Sequence, residues 1–308
     1  MIPLKTPDLL SMADLQPQEV IHVLQLAHAL KTKQLEFNFA RRTLGLMFRK
    51  ASTRTRVSFT VAMNQLGGSV IDLDPNVTQV SRGEPLEDTA RVLDRYLDIL
   101  AIRTFAQEEV ATFAHYCQIP VINALTDTEH PCQVLADLLT IQENFQQLAG
   151  LTLAYIGDGN NVAHSLLLGG ALVGMDVKIA HPPGFAPDPA IVAQAQKLAG
   201  NSRIYLTHDP REAVAQADVV YTDVWASMGQ EATANARAQV FQPYQVNQAL
   251  LKLAQPHGIV LHCLPAHRGE EITAEVLEGA QSRVWDQAEN RLHAQKALLV
   301  LLLAGKQG

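Results

Sequence analysis

Residues 44–66 open as Leu44-Gly-Leu-Met-Phe48, pass through Arg49-Lys50-Ala51-Ser52-Thr53-Arg54-Thr55-Arg56, and run on to Leu66. The first five form a short apolar run, as expected of a strand buried on both faces. From Thr53 the pattern turns helical, and a joint rich in hydrogen-bond donors lies between. Strand, loop and helix in that order make up half of a parallel βα unit.

The alternation continues outward in both directions. Residues 16–34 show helical spacing through Val20, Val23, Leu24, Ala27 and Leu30, with Pro17 near the start. Strands are expected at 70–73, 99–102 and 121–123, with helices at 53–66, 86–97, 108–116 and 132–145. A second series has strands at 151–156, 177–180, 204–206, 219–222 and 259–262, with helices at 162–172 and 189–198. A helix over about 286–303 closes the chain. The expected fold class is therefore α/β, with two parallel-sheet domains joined by interdomain helices. The boundaries fall at 1–146, 147–285 and 286–308, the last packing back toward the first domain.

Composition agrees. The 308 residues are about twice the ~150 of one domain. With 47% hydrophobic and 18% charged residues, disorder and coiled coil are excluded. A net charge of −7 disfavours nucleic acid and anionic membranes as partners. The three cysteines, Cys117, Cys132 and Cys263, are odd in number and unpatterned, which fits a reducing compartment. The apolar stretch at 297–304 is eight residues, short of the ~20 a membrane span needs. No leader is evident, so a cytoplasmic protein is expected.

In open parallel sheets, ligands bind beyond the carboxyl ends of the strands. The loop after 44–48 is suited to an anion. Ser52 or Thr53 can cap the following helix, its first amides can face a phosphate, and Arg54 adds a two-pronged donor. Taken alone, the segment equally fits a capped helix with solvated basic residues. It lacks the Gly-rich turn and the Gly-Lys-Ser/Thr ending of a P-loop.

Company makes it specific. Ser52-Thr53-Arg54-Thr55, Thr78-Gln79 with Arg82-Gly83-Glu84, Arg103, and His130-Pro131-Cys132-Gln133 resemble the aspartate/ornithine carbamoyltransferase family. Asp223-Val-Trp-Ala-Ser227-Met228-Gly229 and His262-Cys263-Leu264-Pro265-Ala-His267-Arg268-Gly269 look like its ornithine branch. One small departure is Ser81, where that family commonly has Gly. The resemblance implies transfer of a carbamoyl group from carbamoyl phosphate to the side-chain amine of ornithine, giving citrulline and phosphate, with no metal or organic cofactor. It further implies a homotrimer and a carbamoyl phosphate-binding domain followed by an ornithine-binding domain. The reaction would serve arginine biosynthesis or, in reverse, arginine degradation.

By the same resemblance, Ser52, Thr53, Arg54 and Thr55 hold the phosphate, joined by Gln79 from a neighbouring subunit. Arg103 and His130 address the carbonyl oxygen, where charge grows in the transition state. Gln133, Arg291, Cys263 and the Leu264 carbonyl complete the carbamoyl phosphate pocket. Arg54, Arg103, His130 and Cys263 are the catalytic set. Direct attack by the amine needs no acyl-enzyme, so Cys263 is not read as a covalent nucleophile; a proton-transfer role near Asp223 is the alternative.

The acceptor amine sets a constraint. Its pKa should lie near the lysine reference of ~10.4, so neutralising it at pH 7 costs about 4.6 kcal/mol. A carboxylate beside it would raise that cost. Asp223 is therefore expected on the α-ammonium, with Asn161 and the Ser227–Met228 backbone on the α-carboxylate.

Two rival readings remain. Gly157-Asp158-Gly159-Asn160-Asn161 after an apolar run imitates a dinucleotide fingerprint and suggests an NAD-dependent dehydrogenase, but His164 and Ser165 stand where the third Gly belongs. His262, Cys263 and His267 invite a zinc site, but four ligands are not evident.

Overall fold

The computed structural model describes residues 4–74, 83–226 and 234–305. The expected site residues Gln79, Ser227 and Met228 lie outside these described residues.

The chain divides into two compact units, Met1–Ala136 with Asn290–Gly308, and Asp137–Glu289. After a short 3-10 turn at Met12–Asp14, the first unit has α1 (Pro17–Lys31) and then alternates strand and helix. Its elements are β1 (Thr43–Phe48), α2 (Thr53–Gln65), β2 (Ser69–Leu73), α3 (Leu86–Leu93), β3 (Ile99–Arg103), α4 (Gln107–Tyr116), β4 (Val121–Leu125) and the start of α5 (Pro131–Phe145). The strands are all parallel, in the order β2-β1-β3-β4. Met47, Leu100, Ile102, Val110, Phe113 and Val121 pack into one core beneath that sheet. Each such side chain removed from water contributes roughly 1.5–3 kcal/mol.

The second unit holds β5 (Thr152–Ile156), α6 (Asn161–Leu172), β6 (Asp176–Ala180), α7 (Pro189–Leu198), β7 (Ile204–Thr207), α8 (Pro210–Val214) and β8 (Val219–Thr222). It continues through α9 (Ala234–Phe241), α10 (Gln248–Leu251), β9 (Ile259–His262) and α11 (Ala274–Leu277) to the start of α12 (Val284–Ala304). Its sheet is also parallel, ordered β7-β6-β5-β8-β9. The division between units cuts α5 after Ala136 and α12 after Glu289.

Strand order positions the functional loops. In the first sheet the chain runs outward from β1 to β2, then returns to β3 on the other side of β1. In the second it runs outward from β5 through β6 to β7, then returns to β8. Each reversal leaves a crevice at the carboxyl ends of two adjacent strands. Phe48 pairs with Arg103 at the end of β1 and β3, and Ile156 with Thr222 at the end of β5 and β8. The next residues along are the candidate site segments.

Two helices stop earlier than their periodicity predicts. The pattern at 86–97 becomes a helix only to Leu93, because the Asp94 carboxylate accepts from the backbone N–H groups of Gln118 and Ile119, at 2.6 and 2.9 Å. That tertiary contact turns the chain. At the end of α1, Lys33 takes a left-handed conformation with φ of 57°, which ends the helix short of residue 34. Among the described residues no helix is long and apolar enough to cross a membrane.

Candidate active site

In the first unit, the backbone N–H of Arg49 donates to the Arg103 carbonyl at 2.8 Å, holding the exits of β1 and β3 together. Ser52 is the N-cap of α2, with extended backbone, and its Oγ accepts from Thr55 N at 3.3 Å. The first-turn amides of a helix lack intrahelical acceptors and carry the positive end of its dipole. No acidic residue occupies this first turn, so nothing there opposes an anion. Thr53 and Arg54 are exposed, whereas Thr55 is buried. Thr55 turns inward, its Oγ1 accepting from Arg291 at 3.0 Å.

Arg103, His130, Gln133 and Arg291 are all buried. Arg291, on α12, donates to the Gln133 side-chain oxygen at 2.5 Å, which fixes the amide's direction. His130 carries the first turn of α5, its carbonyl accepting from Gln133 N at 3.0 Å. Burial pushes the His130 ring well below the usual histidine range, and the positive charges of Arg291, Arg103 and Arg54 push the same way. His130 is therefore a neutral imidazole amid guanidinium groups, in a field that favours a dianion. Lys50, nearly buried, pairs with Asp127 and lies 4.4 Å from the centre of the Phe105 ring. It steadies the loop leading into Ser52. Sequence reading missed that pair, since 77 positions separate its members.

In the second unit, the turn after β5 and the exit of β8 converge. Asn160 caps α6: its Oδ1 accepts from Val162 N and Ala163 N at 3.0 and 3.1 Å. Its Nδ2 donates to Asp223 Oδ2 at 2.8 Å. The other Asp223 oxygen accepts from the Cys263 thiol at 2.9 Å and from Val224 N at 2.8 Å. Asn161 is the first helical residue and half-buried. Leu264, which follows Cys263, has a φ of 58°, a left-handed conformation rare for Leu.

His262 explains how that loop is held. Its Nδ1 accepts from Leu264 N at 2.9 Å and its Nε2 meets Glu271 Oε1 at 2.9 Å, with both side chains fully buried. Glu271 Oε1 also accepts from His267 N at 2.6 Å. Asp223, His262 and Cys263 do bring potential ligand atoms within 4.8 Å of one another. With both His262 nitrogens committed and the thiol turned to Asp223, the cluster is arranged as a hydrogen-bond network, not as a ligand set.

The Gly157–Gly159 turn has a packing explanation. A Cβ on Gly159 would lie 2.1 Å from Pro187 N and 2.3 Å from the Ala186 carbonyl carbon. The glycine thus admits the 186–187 backbone, so close packing accounts for it without a bound dinucleotide.

Each unit matches a known transferase domain. A family model described as the aspartate/ornithine carbamoyltransferase carbamoyl-P binding domain matches residues 7–143, and one described as the Asp/Orn binding domain matches 149–302. The chain belongs to the aspartate/ornithine carbamoyltransferase family. It is 68% identical over 300 residues to the ornithine carbamoyltransferase of Nostoc punctiforme, covering 97% of this chain and 98% of that one. The crystal structure of ornithine carbamoyltransferase from Gloeobacter violaceus is 59% identical with a TM-score of 0.89, covering 97% of this chain and 99% of that one. The enzyme from Pyrococcus furiosus is 47% identical with a TM-score of 0.96 over the whole of both chains.

Proposed function

We propose that the chain transfers the carbamoyl group of carbamoyl phosphate to the side-chain amine of L-ornithine, releasing L-citrulline and phosphate. The observation that carries this reading is Asp223, a buried carboxylate fixed by Asn160 and Cys263 at the exit of β8. An acceptor with a free α-ammonium suits it. An N-acetylated acceptor would bring no charge to it, and a second acidic group would be repelled.

Residues 1–146 supply the donor's site and 147–285 the acceptor's, with 286–308 returning Arg291 to the donor side. The phosphate is received by Ser52, Thr53, Arg54 and Thr55 at the amino end of α2, with Gln79 from a neighbouring subunit. Arg103 and His130 bear on the carbonyl oxygen. A neutral His130 can donate one hydrogen bond to the oxyanion without giving up its proton, and Arg103 supplies the charge. Gln133 and Arg291 orient the carbamoyl amide, and Cys263 with the Leu264 carbonyl closes the reacting end. Asp223 takes the α-ammonium, and Asn161 with Ser227 and Met228 the α-carboxylate.

The neutral amine attacks the carbonyl carbon to form the C–N bond and a tetrahedral oxyanion. The oxyanion then collapses and the C–O bond to phosphate breaks. The ammonium's first proton leaves before attack, and the second departs with the phosphate as HPO₄²⁻.

The enzyme is further proposed to be a cytoplasmic homotrimer acting in arginine biosynthesis or the reverse, degradative direction. Its cysteines are thiols, and Val57 and Ile71 on the first unit are about half exposed, which supports a covering subunit there. Citrulline formation measured in parallel with ornithine, aspartate, N-acetylornithine and putrescine tests the substrate assignment; ornithine should exceed the rest by orders of magnitude. Mixing inactive Gln79→Ala and Arg54→Ala subunits tests the shared site, with about a quarter of sites regained under random assembly. Zero recovery, with exchange confirmed independently, rules the shared site out.

A further inference from the structure

The acceptor half contains a second carboxylate that the proposed chemistry does not use. Asp158 follows β5 as Asp223 follows β8, on adjacent strands, and its side chain is 13% exposed. Two carboxylates so placed repel one another. Burial is the main cause that raises the Asp158 carboxyl above its ordinary range, and the charge of Asp223 adds to it.

Arg237 answers this charge. It arises from α9, is 12% exposed, and forms an ion pair with Asp158. Its Nε donates to the Trp225 carbonyl at 2.5 Å. The guanidinium lies 4.8 Å from the ring centre of Phe185 and 5.1 Å from that of Phe241. A cation held by a carboxylate, a carbonyl and two rings has little freedom to move. Asp223, by contrast, has no cationic partner among the described residues; Asn160, Cys263 and the Val224 N–H hydrogen-bond to it. Of two neighbouring acidic groups, Asp158 has a cationic partner, and Asp223 has none among the described residues.

We propose that Arg237 is a positioning residue that withdraws Asp158 from competition for the acceptor's ammonium groups, leaving Asp223 as the single carboxylate that reads them. Ornithine presents two cationic ends and one carboxylate. With both aspartates charged, either end could be drawn to either carboxylate, and the α-carboxylate would meet an extra negative charge. Arg237 thereby sets both the orientation of the amino acid and its preference over a diamine. The proposal rests on the assignment of Asp223 to the α-ammonium.

The test is steady-state kinetics on the full-length enzyme and its Arg237→Gln, Asp158→Asn, Asp158→Asn/Arg237→Gln and Asp223→Asn variants. Putrescine serves as a competitive inhibitor against ornithine. Arg237→Gln should raise KM for ornithine roughly 10- to 100-fold, the scale of a buried charge left without its partner, with KM for carbamoyl phosphate little changed. Putrescine inhibition should weaken far less, because a dication gains from the added negative charge. Removing the uncompensated carboxylate as well should return the double variant to within a few-fold of the parent. An ornithine KM in the double variant as poor as in Arg237→Gln overturns the proposal, as does a putrescine-to-ornithine ratio unchanged by Arg237→Gln. If Arg237→Gln does not fold, the double variant decides alone: near-parental KM supports the proposal and a large rise overturns it. An unaltered ornithine KM in Asp223→Asn overturns the Asp223 assignment itself. An impaired Asp223→Asn with no rescue in the double variant overturns only the role of Arg237.

Discussion

The thiol of Cys263 donates to Asp223 Oδ1 across 2.9 Å, joining the exits of β9 and β8. The bond aims the carboxylate, because its other oxygen is held at 2.8 Å by Asn160. A carboxylate fixed from both sides presents its remaining acceptor direction in one orientation, which is what recognition of a single ammonium requires. The same bond gives Cys263 a positional duty without any covalent role.

Asp223→Asn keeps the shape and removes the charge, but its amide sets a donor against either the thiol or Asn160 Nδ2. Ornithine use should fall by ~2–4 kcal/mol in kcat/KM, as for one partner lost from a buried charged pair, while KM for carbamoyl phosphate stays near the parental value. Normal ornithine kinetics in a folded Asp223→Asn enzyme would remove Asp223 from the acceptor site.

Arg291 fails differently. It is buried, and it satisfies Gln133 and Thr55 together through one planar fork. Arg291→Ala removes a hydrogen bond from each partner and opens a cavity, at a cost of about 3 kcal/mol in stability. Arg291→Lys should recover only part, because a single ammonium cannot reproduce the fork. Urea unfolding of both variants, with KM for carbamoyl phosphate, checks this: a Lys variant as stable as the parent would count against the bidentate role.

Much of this was legible in the sequence, for physical reasons that vary by element. Strands 219–222 and 259–262 match β8 and β9 to the residue, since a short apolar run bounded by turn residues has few other ways to be buried. A cap at Ser52 or Thr53 was legible because a hydroxyl before a helix has a local partner, and the structure places it at Ser52. The helices α8, α10 and α11, of five, four and four residues, are too short to show a 3.6-residue period, and sequence reading missed them. Arg237 was missed for another reason. Its partner Asp158 lies 79 residues away, and no local pattern links an Arg on a weakly periodic helix to a turn in another strand's exit. The Glu271 that holds His262 was invisible in the same way.

His130 should leave a mark on stability. Its folded pKa lies well below the ordinary value of 6.5, so above pH 6.5 both folded and unfolded forms are neutral and nothing is lost. Below pH 6.5 the unfolded chain takes up a proton that the folded ring refuses, and stability falls by up to about 1.4 kcal/mol per pH unit. His130→Gln should remove that contribution. Urea midpoints between pH 7 and roughly 5 should therefore decline less steeply in the variant than in the parent. Equal slopes would mean that His130 titrates normally in the folded enzyme.

The acceptor amine dictates a pH dependence of its own. Only the neutral form attacks, so kcat/KM for ornithine should climb nearly tenfold per pH unit from pH 7, and level as the amine's pKa of ~10.4 or a perturbed value is approached. The pH at which kcat, which reports the bound complex, reaches its plateau measures how far the site lowers that pKa. A flat profile from pH 7 upward in single-turnover measurements would show that the bound amine is already neutral at pH 7, and would overturn this dependence.

Gly159→Ala separates packing from phosphate binding in the turn after β5. The added methyl would collide with Pro187 N and with the Ala186 carbonyl carbon, both backbone atoms that cannot swing aside as a side chain can. Overpacking of this kind costs about 1–3 kcal/mol, and displacing backbone puts it at the upper end. The neighbouring Asn160 and Asp158 share the turn, so the shift should reach Asp223 and raise KM for ornithine, with KM for carbamoyl phosphate less affected. Nicotinamide fluorescence in the presence of parent or variant should report no binding in either. A variant with parental stability would show that the 186–187 segment yields easily, and that the glycine serves some purpose other than close approach.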